Sequence, residues 1–247
     1  MSRIPDTLVA DARDTDGVLS GQQRKSDAII GSVARSHLIG RLYASVLPTI
    51  LSVVQCMRPA LLVIDLQRWF LERGHPEKLA GVDALIAKTN ELIDFFHEMR
   101  LTVVRVEIIH QPDGSTWNQS MREHWTGSPI EGTLVQGTWE TERHSDVRTS
   151  ATDIVVTKTR GSAFLRTELE DLLVERNVDT VLLAGYSTNR CVGLTAIDAW
   201  ERDFRVILAG EAILGTNVTQ GDLMLDYLRT MFEIEPISST EIRERVR

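Results

Sequence analysis

"LLAGYSTNRCVGLTAIDAW", residues 182–200, changes its period halfway along. The apolar run that enters it and reaches Gly185 has the form of a strand buried on both faces. Polar residues at 187–190 break that run. Cys191 then opens a second apolar stretch with a helical period. A buried strand passing directly into a helix is the repeating unit of a parallel α/β sheet.

The same alternation extends in both directions. "ALLVID" (60–65) is a continuous apolar run ending in a carboxylate. Val82, Leu85, Ile86, Thr89, Leu92, Ile93 and Phe96 recur at helical spacing. "LTVVRVEII" (101–109) and "DIVVTK" (153–158) are rich in the β-branched residues that strands favour. Thr167 and Glu170 have capping-box spacing ahead of a stripe of Leu169, Leu172 and Leu173. "DTVLLAGY" (179–186), "FRVILAG" (204–210) and a short segment near "FEIEPI" (232–237) complete the strands. The rhythm predicts an α/β fold with a mostly parallel six-stranded sheet and helices on both faces.

Two regions depart from it. Residues 1–56 show no strong period, and their apolar stretch "ASVLPTILSVV" (44–54) is interrupted by Pro48 and too short to span a bilayer. They read as an N-terminal extension, partly ordered, ahead of a domain at 57–247. "MRPALLVIDLQ" also allows Met57 to be the true start. Residues 110–150 hold four glycines (114, 127, 132, 137) and Trp117, Trp125 and Trp139. A functional loop or lid, and surface irregularity with the tryptophans plugged into the core, are both open readings.

The net charge of −8 argues against nucleic acid or an anionic membrane as partner. The two cysteines, at 56 and 191, lack zinc-type spacing and suggest no disulfide scaffold. With no signal peptide or membrane span visible, a reducing cytoplasm is expected, where a thiol stays available. No G-x-G-x-x-G follows the first strand, which disfavours a dinucleotide site.

Ligands of open parallel sheets sit beyond the carboxyl ends of the strands. Three reactive side chains fall there: Asp65, Lys158 and Cys191. Singly, each has an ordinary alternative as a turn residue, a solvated strand end or a core thiol. Together they form a chemical set. A free thiol titrates near ~8.5, and a helix N-terminus capped by Thr188 or Asn189, with the Lys158 ammonium nearby, would favour the thiolate. Asp65 would take the thiol proton and hand it to a leaving amine. Backbone N–H groups at Ser187 and Cys191 would form an oxyanion hole.

"LLVIDLQ", "VVTKTRGSAF" and "LLAGYSTNRCVGLTAIDA", in this order and spacing, resemble the isochorismatase-like cysteine hydrolases, over about residues 57–240. That family includes nicotinamidases and the amidohydrolases of N-carbamoylsarcosine, ureidoacrylate and biuret. The resemblance implies a Rossmann-like three-layer sandwich, a triad of Asp65, Lys158 and Cys191, a non-proline cis peptide at Tyr186–Ser187, and a homo-oligomer. Gln67 matches the family glutamine two residues after the aspartate. With Phe70, Arg160 and Tyr186 it makes the candidate substrate-binding set. If the strand persists past Lys158, Arg160 leaves on the same face, to hold a substrate carboxylate or to brace the loop. Cys191 favours C–N hydrolysis through a thioester over the vinyl-ether cleavage of true isochorismatases, which generally lack it. Nicotinamidases carry a metal-binding Asp/His cluster after the second strand. Here "EIIHQPDGSTW" offers His110 alone beside Glu107 and Asp113, so His110 reads as a wall or structural residue. No metal and no cofactor is expected. The expected function is an amidohydrolase acting on a small amide or ureido compound. The alternatives are a vinyl-ether hydrolase and a non-catalytic ligand-binding protein.

Overall fold

Six strands build the sheet: β1 (Pro59–Ile64), β2 (Thr102–Ile108), β3 (Ile154–Lys158), β4 (Thr180–Tyr186), β5 (Arg205–Leu214) and β6 (Pro236–Ile237). The computed structural model describes residues 57–73, 80–123 and 132–247, which fall in one unit running from Met57 to Arg247. The expectations for residues 1–56, including the 44–54 stretch, and for Trp125 and Gly127, lie outside the described residues. The strand order is β3-β2-β1-β4-β5-β6, and all five pairings are parallel.

β1 and β4 are central, and every residue of both is buried. Their side chains alternate between two cores, as a pleated strand requires. Ala60, Leu62, Ile64, Val181 and Leu183 face one core, whereas Leu61, Val63, Leu182 and Ala184 face the other. The first core is closed by α3 (Leu169–Glu175), α4 (Gly193–Trp200) and α5 (Val218–Phe232). The second is closed by α1 (Val82–Glu98) and α6 (Ser239–Val246). The result is a three-layer Rossmann-like sandwich. All seven residues of the helical stripe in α1 are buried, so the periodicity marked its inner face correctly.

Three local expectations are corrected. β5 runs four residues beyond Gly210, because after a register shift it pairs with Gly185 and Tyr186 of β4. Thr167 does not close a capping box. Its hydroxyl accepts from the Leu169 N–H and donates to the Ala163 carbonyl, and Glu168 is the cap residue. β3 stops at Lys158, so Arg160 lies on a bend and the same-face argument for it fails.

The 110–150 region is wall and core together. Trp117 is buried, as the core reading has it. Trp139 instead packs tilted against Trp69, at 5.9 Å between rings. His110 bridges Val135, which extends the sheet past the end of β2. The buried Glu140 carboxylate accepts from the N–H groups of Gly132 and Leu134. A short helix, α2 (Gln119–Glu123), follows Trp117.

Candidate active site

Asp65 leaves β1 at φ 51°, a left-handed conformation that turns its side chain out of the strand. Its N–H donates to Val106 of β2, which holds that turn to the sheet. Lys158 closes β3, two strands away. Cys191 lies in a π-helical turn, Thr188–Val192, between β4 and α4. All three are enclosed, with relative exposures of 0% for Asp65, 1% for Lys158 and 6% for Cys191.

The strand order brings them together at the carboxyl edge. Lys158 Nζ lies 2.8 Å from Asp65 Oδ2 and donates to Cys191 Sγ at 3.4 Å and to the Arg160 carbonyl at 3.0 Å. Two of the three ammonium N–H groups are thus used in hydrogen bonds, and the charge is paired with Asp65. Burial is the largest influence on Lys158 and opposes its charge. Asp65 and Cys191 outweigh it, and the lysine pKa is raised.

The expected pull of Lys158 toward the thiolate is present, but burial outweighs it. Burial, seconded by the negative charge of Asp65, pushes the Cys191 thiol up to about 12, against the opposing pull of Lys158. The capping expectation is corrected. The turn has no side-chain cap, and Asn189 instead accepts from the Thr216 N–H and donates to Gln220. The Ser187 carbonyl accepts from Arg190 and Val192, and the Tyr186–Ser187 peptide is cis, as the resemblance implied.

Gly185 lets this edge form. Its φ is +124°, and a Cβ there would stand 2.1 Å from the Ile64 carbonyl oxygen, next to Asp65. Only glycine fits that approach.

A cavity of about 330 Å³ opens over Cys191. Phe70, Arg160, Tyr186 and Ser187 all line it, and the Phe70 and Tyr186 rings lie 5.5 Å apart. Gln67 is not on its wall. Gln67 is fully buried, with its amide donating to Ile108 and Thr141 and its oxygen accepting from the Ile108 N–H, so every polar hydrogen serves the backbone. The lining residues not named by sequence reasoning include Trp69, Asn118, Met121, Leu134, Arg190 and Thr216. Arg190 had a signal, its place beside Cys191. The others come from loops or short helical turns whose path no period announces.

His110 is buried on the cavity wall, with Nδ1 3.2 Å from the Thr116 hydroxyl. Burial first, then the charges of Arg160 and Lys158, lower its pKa, so it is a neutral imidazole. The metal centre of nicotinamidases does not fit these residues. Glu107 is paired with Arg105 at 3.1 Å, and Asp113 accepts from the Ser115 N–H. Among the described residues no group of three or more His, Cys, Asp or Glu side chains is arranged to hold a metal ion.

A parallel α/β sandwich with a buried acid–lysine–cysteine cluster at the carboxyl edge of its sheet defines the class of protein. The profile of the isochorismatase domain matches residues 59–241, and the chain belongs to that family. It is 32% identical over 160 residues to the maleamate amidohydrolase of Pseudomonas putida, covering 63% of this chain and 72% of that enzyme. It is 27% identical over 157 residues to an N-carbamoylsarcosine amidase of Arthrobacter sp., covering 63% of this chain and 59% of the relative. The fold resembles the crystal structure of an isochorismatase family protein from Desulfovibrio vulgaris, with TM-score 0.68 and 27% identity over 76% of this chain and 97% of that one. No described helix is long and apolar enough to cross a membrane.

Proposed function

We infer that this chain is a cysteine-dependent amidohydrolase that cleaves a C–N bond of a small amide or ureido compound. The observation that carries the reading is the contact of one buried ammonium with both Asp65 and Cys191 Sγ, under a cavity of small-molecule size. Similarity to amidases supports the same choice.

The resting thiol dictates the order of events. As the Cys191 sulfur attacks the substrate carbonyl, its proton passes to Asp65, so no free thiolate has to accumulate at neutral pH. Lys158 favours the charge that develops on sulfur. The backbone N–H groups of Ser187 and Cys191 are the candidate donors to the oxyanion. The C–N bond then breaks, Asp65 returns the proton to the leaving nitrogen, and ammonia or an amine departs. A water molecule gives a proton to Asp65 and attacks the thioester. The acid is released and the Cys191 thiol is restored.

The direct test is ammonia release from a panel of small carboxamides, ureas and carbamoyl amino acids. The Cys191→Ala protein is run beside the parent. Cys191-dependent release is the expected result. Release unaffected by the substitution would remove the nucleophile from this scheme. Assembly into a homo-oligomer belongs to the same reading and is checked by a solution mass measurement.

A further inference from the structure

The chemistry of Asp65, Lys158 and Cys191 makes no use of Thr195, which is fully buried in α4, one helical turn past Cys191. Its hydroxyl donates to the Cys191 carbonyl at 2.6 Å and accepts the Ala163 N–H at 3.0 Å. Ala163 is fully buried as well and lies in the loop that follows Lys158. A threonine inside a helix often bonds back to the carbonyl four residues earlier, and that bond by itself says nothing of function. The second bond reaches a segment 32 residues away. One hydroxyl therefore ties the peptide of Cys191 to the loop beside its cation.

A second strut runs beside it. Ser162 donates to the Asp198 carboxylate on the same helix and accepts from the Phe164 N–H. Asp198 also accepts from Arg202, which pairs with Glu170 at 2.9 Å. Gly161 lies so near α4 that a Cβ there would stand 2.5 Å from Leu194 Cδ1. The same loop holds Arg160, whose carbonyl accepts from Lys158 Nζ at 3.0 Å. Lys158 Nζ in turn donates to Cys191 Sγ at 3.4 Å. A shift of the loop relative to the turn changes that separation directly.

We propose that Thr195, with Ser162 as a second strut, is a positioning residue: it holds the loop after β3 against the turn of Cys191 and so keeps Lys158 within reach of the sulfur. Its effect on turnover rests on the amidohydrolase reading, and its effect on the thiol rests on the fold alone. Without the hydroxyl, the buried Ala163 N–H lacks an acceptor, and a buried donor in that condition moves toward water or another acceptor. Movement of Ala163 carries Ser162, Gly161 and Arg160 with it. A displacement of about 1 Å at a reacting group is enough to lower a rate about 100-fold.

The test uses full-length parent, Thr195→Val, Thr195→Ser and Ser162→Ala proteins, each assayed well below its melting transition. Valine keeps the shape of threonine without the hydroxyl, whereas serine keeps the hydroxyl. Turnover is measured on the best-used compound of a panel of small carboxamides, ureas and carbamoyl amino acids. Alkylation of Cys191 by iodoacetamide at about pH 9 is followed by peptide mass spectrometry, which separates it from Cys56. Thr195→Val is expected to lower kcat about 100-fold with KM changed less than about twofold, because Phe70 and Tyr186 of the cavity wall belong to other segments. It should also slow the alkylation about fivefold, part of the strength of a hydrogen bond to a charged group. Thr195→Ser should restore both. In a Lys158→Met background, Thr195→Val should change the alkylation less than about twofold, since the contact it protects is already gone.

A folded Thr195→Val protein with parental kcat and parental alkylation overturns this inference while leaving the amidohydrolase reading intact. A fall in kcat that serine does not restore, or that leaves the alkylation unchanged, also overturns it, because lost packing alone gives that result. No turnover of any compound by the parent, with alkylation that depends jointly on the Thr195 hydroxyl and Lys158, overturns the amidohydrolase reading and supports this one. If Thr195→Val does not fold, Ser162→Ala decides: slowed alkylation supports the proposal, and a parental rate overturns it.

Discussion

Cys191 is a small side chain in a core cluster and its thiol touches an ammonium, so its two roles separate on substitution. Cys191→Ala removes little packing, about 1 kcal/mol. It is expected to lower turnover by at least about 10³-fold. Kinetics beside thermal melts check the pair of outcomes, and near-normal activity would end the assignment. The thiol, pushed up to about 12, also makes a pH prediction. Iodoacetamide reacts with the thiolate, so alkylation of the resting protein should climb with pH well past 9, without a plateau near the value of a free cysteine. Lys158→Met, which deletes the favourable charge, should slow it further at every pH. The sign for stability follows. A folded-state pKa above the ordinary 9.0 means the folded chain holds that proton more tightly. Its contribution is complete below about 9 and is lost as pH rises toward about 12. Lys158, also raised, acts in the same direction. Denaturant midpoints measured across that range test it.

At the scale of elements, the site depends on how β1, β2, β3 and β4 end. Gly185→Ala places a methyl 2.1 Å from the Ile64 carbonyl oxygen at a φ that L-residues avoid. Separation of β4 from β1 is expected to cost about 3 kcal/mol or more, visible as a lowered denaturation midpoint or as insoluble protein. Gln67→Ala removes three hydrogen bonds that hold Ile108 and Thr141. It should cost about 1–3 kcal/mol of stability. A change in substrate affinity with the melting temperature untouched would contradict the structural role. β1 and β4 were legible because burial on both faces leaves an unbroken apolar run, and α1 because seven residues share one stripe. β5 was read four residues short. Gly210 and Glu211 look like a strand end, and only the irregular pairing with β4 carries the chain past them. Residues 110–150 were legible as pocket wall but their path was not, because it depends on single contacts such as Glu140 with Gly132 and Leu134.

At the scale of the whole molecule, the isochorismatase domain occupies residues 59–241 and β1 starts at Pro59. A chain beginning at Met57 is therefore expected to fold and to keep at least about a tenth of full-length turnover, a barrier change below ~1.4 kcal/mol. Kinetics with a solution mass measurement decide it. Soluble, correctly assembled and inactive protein would mean that residues 1–56 help build the site. Activity should also survive exhaustive chelation. His110 has Nδ1 engaged with Thr116, while Glu107 and Asp113 are engaged elsewhere. Metal analysis of the purified protein, with assay before and after chelation, checks this. A tightly bound ion whose removal abolishes activity would overturn it.

The order of strands and helices, the two-sided burial of β1 and β4, and the presence of Asp65, Lys158 and Cys191 at strand ends belong to the sequence by itself. These features are local: periodicity and residue type within a dozen positions carry them. Only the tertiary structure decided what those residues do to one another. It set the pull of one ammonium against burial and the charge of Asp65, which together push the Cys191 thiol up. It moved Gln67 from the cavity to the backbone of β2, and it presented Arg160 through a bend instead of a strand. Each of those outcomes rests on contacts between segments from about 30 to more than 70 residues apart, a separation no local pattern encodes.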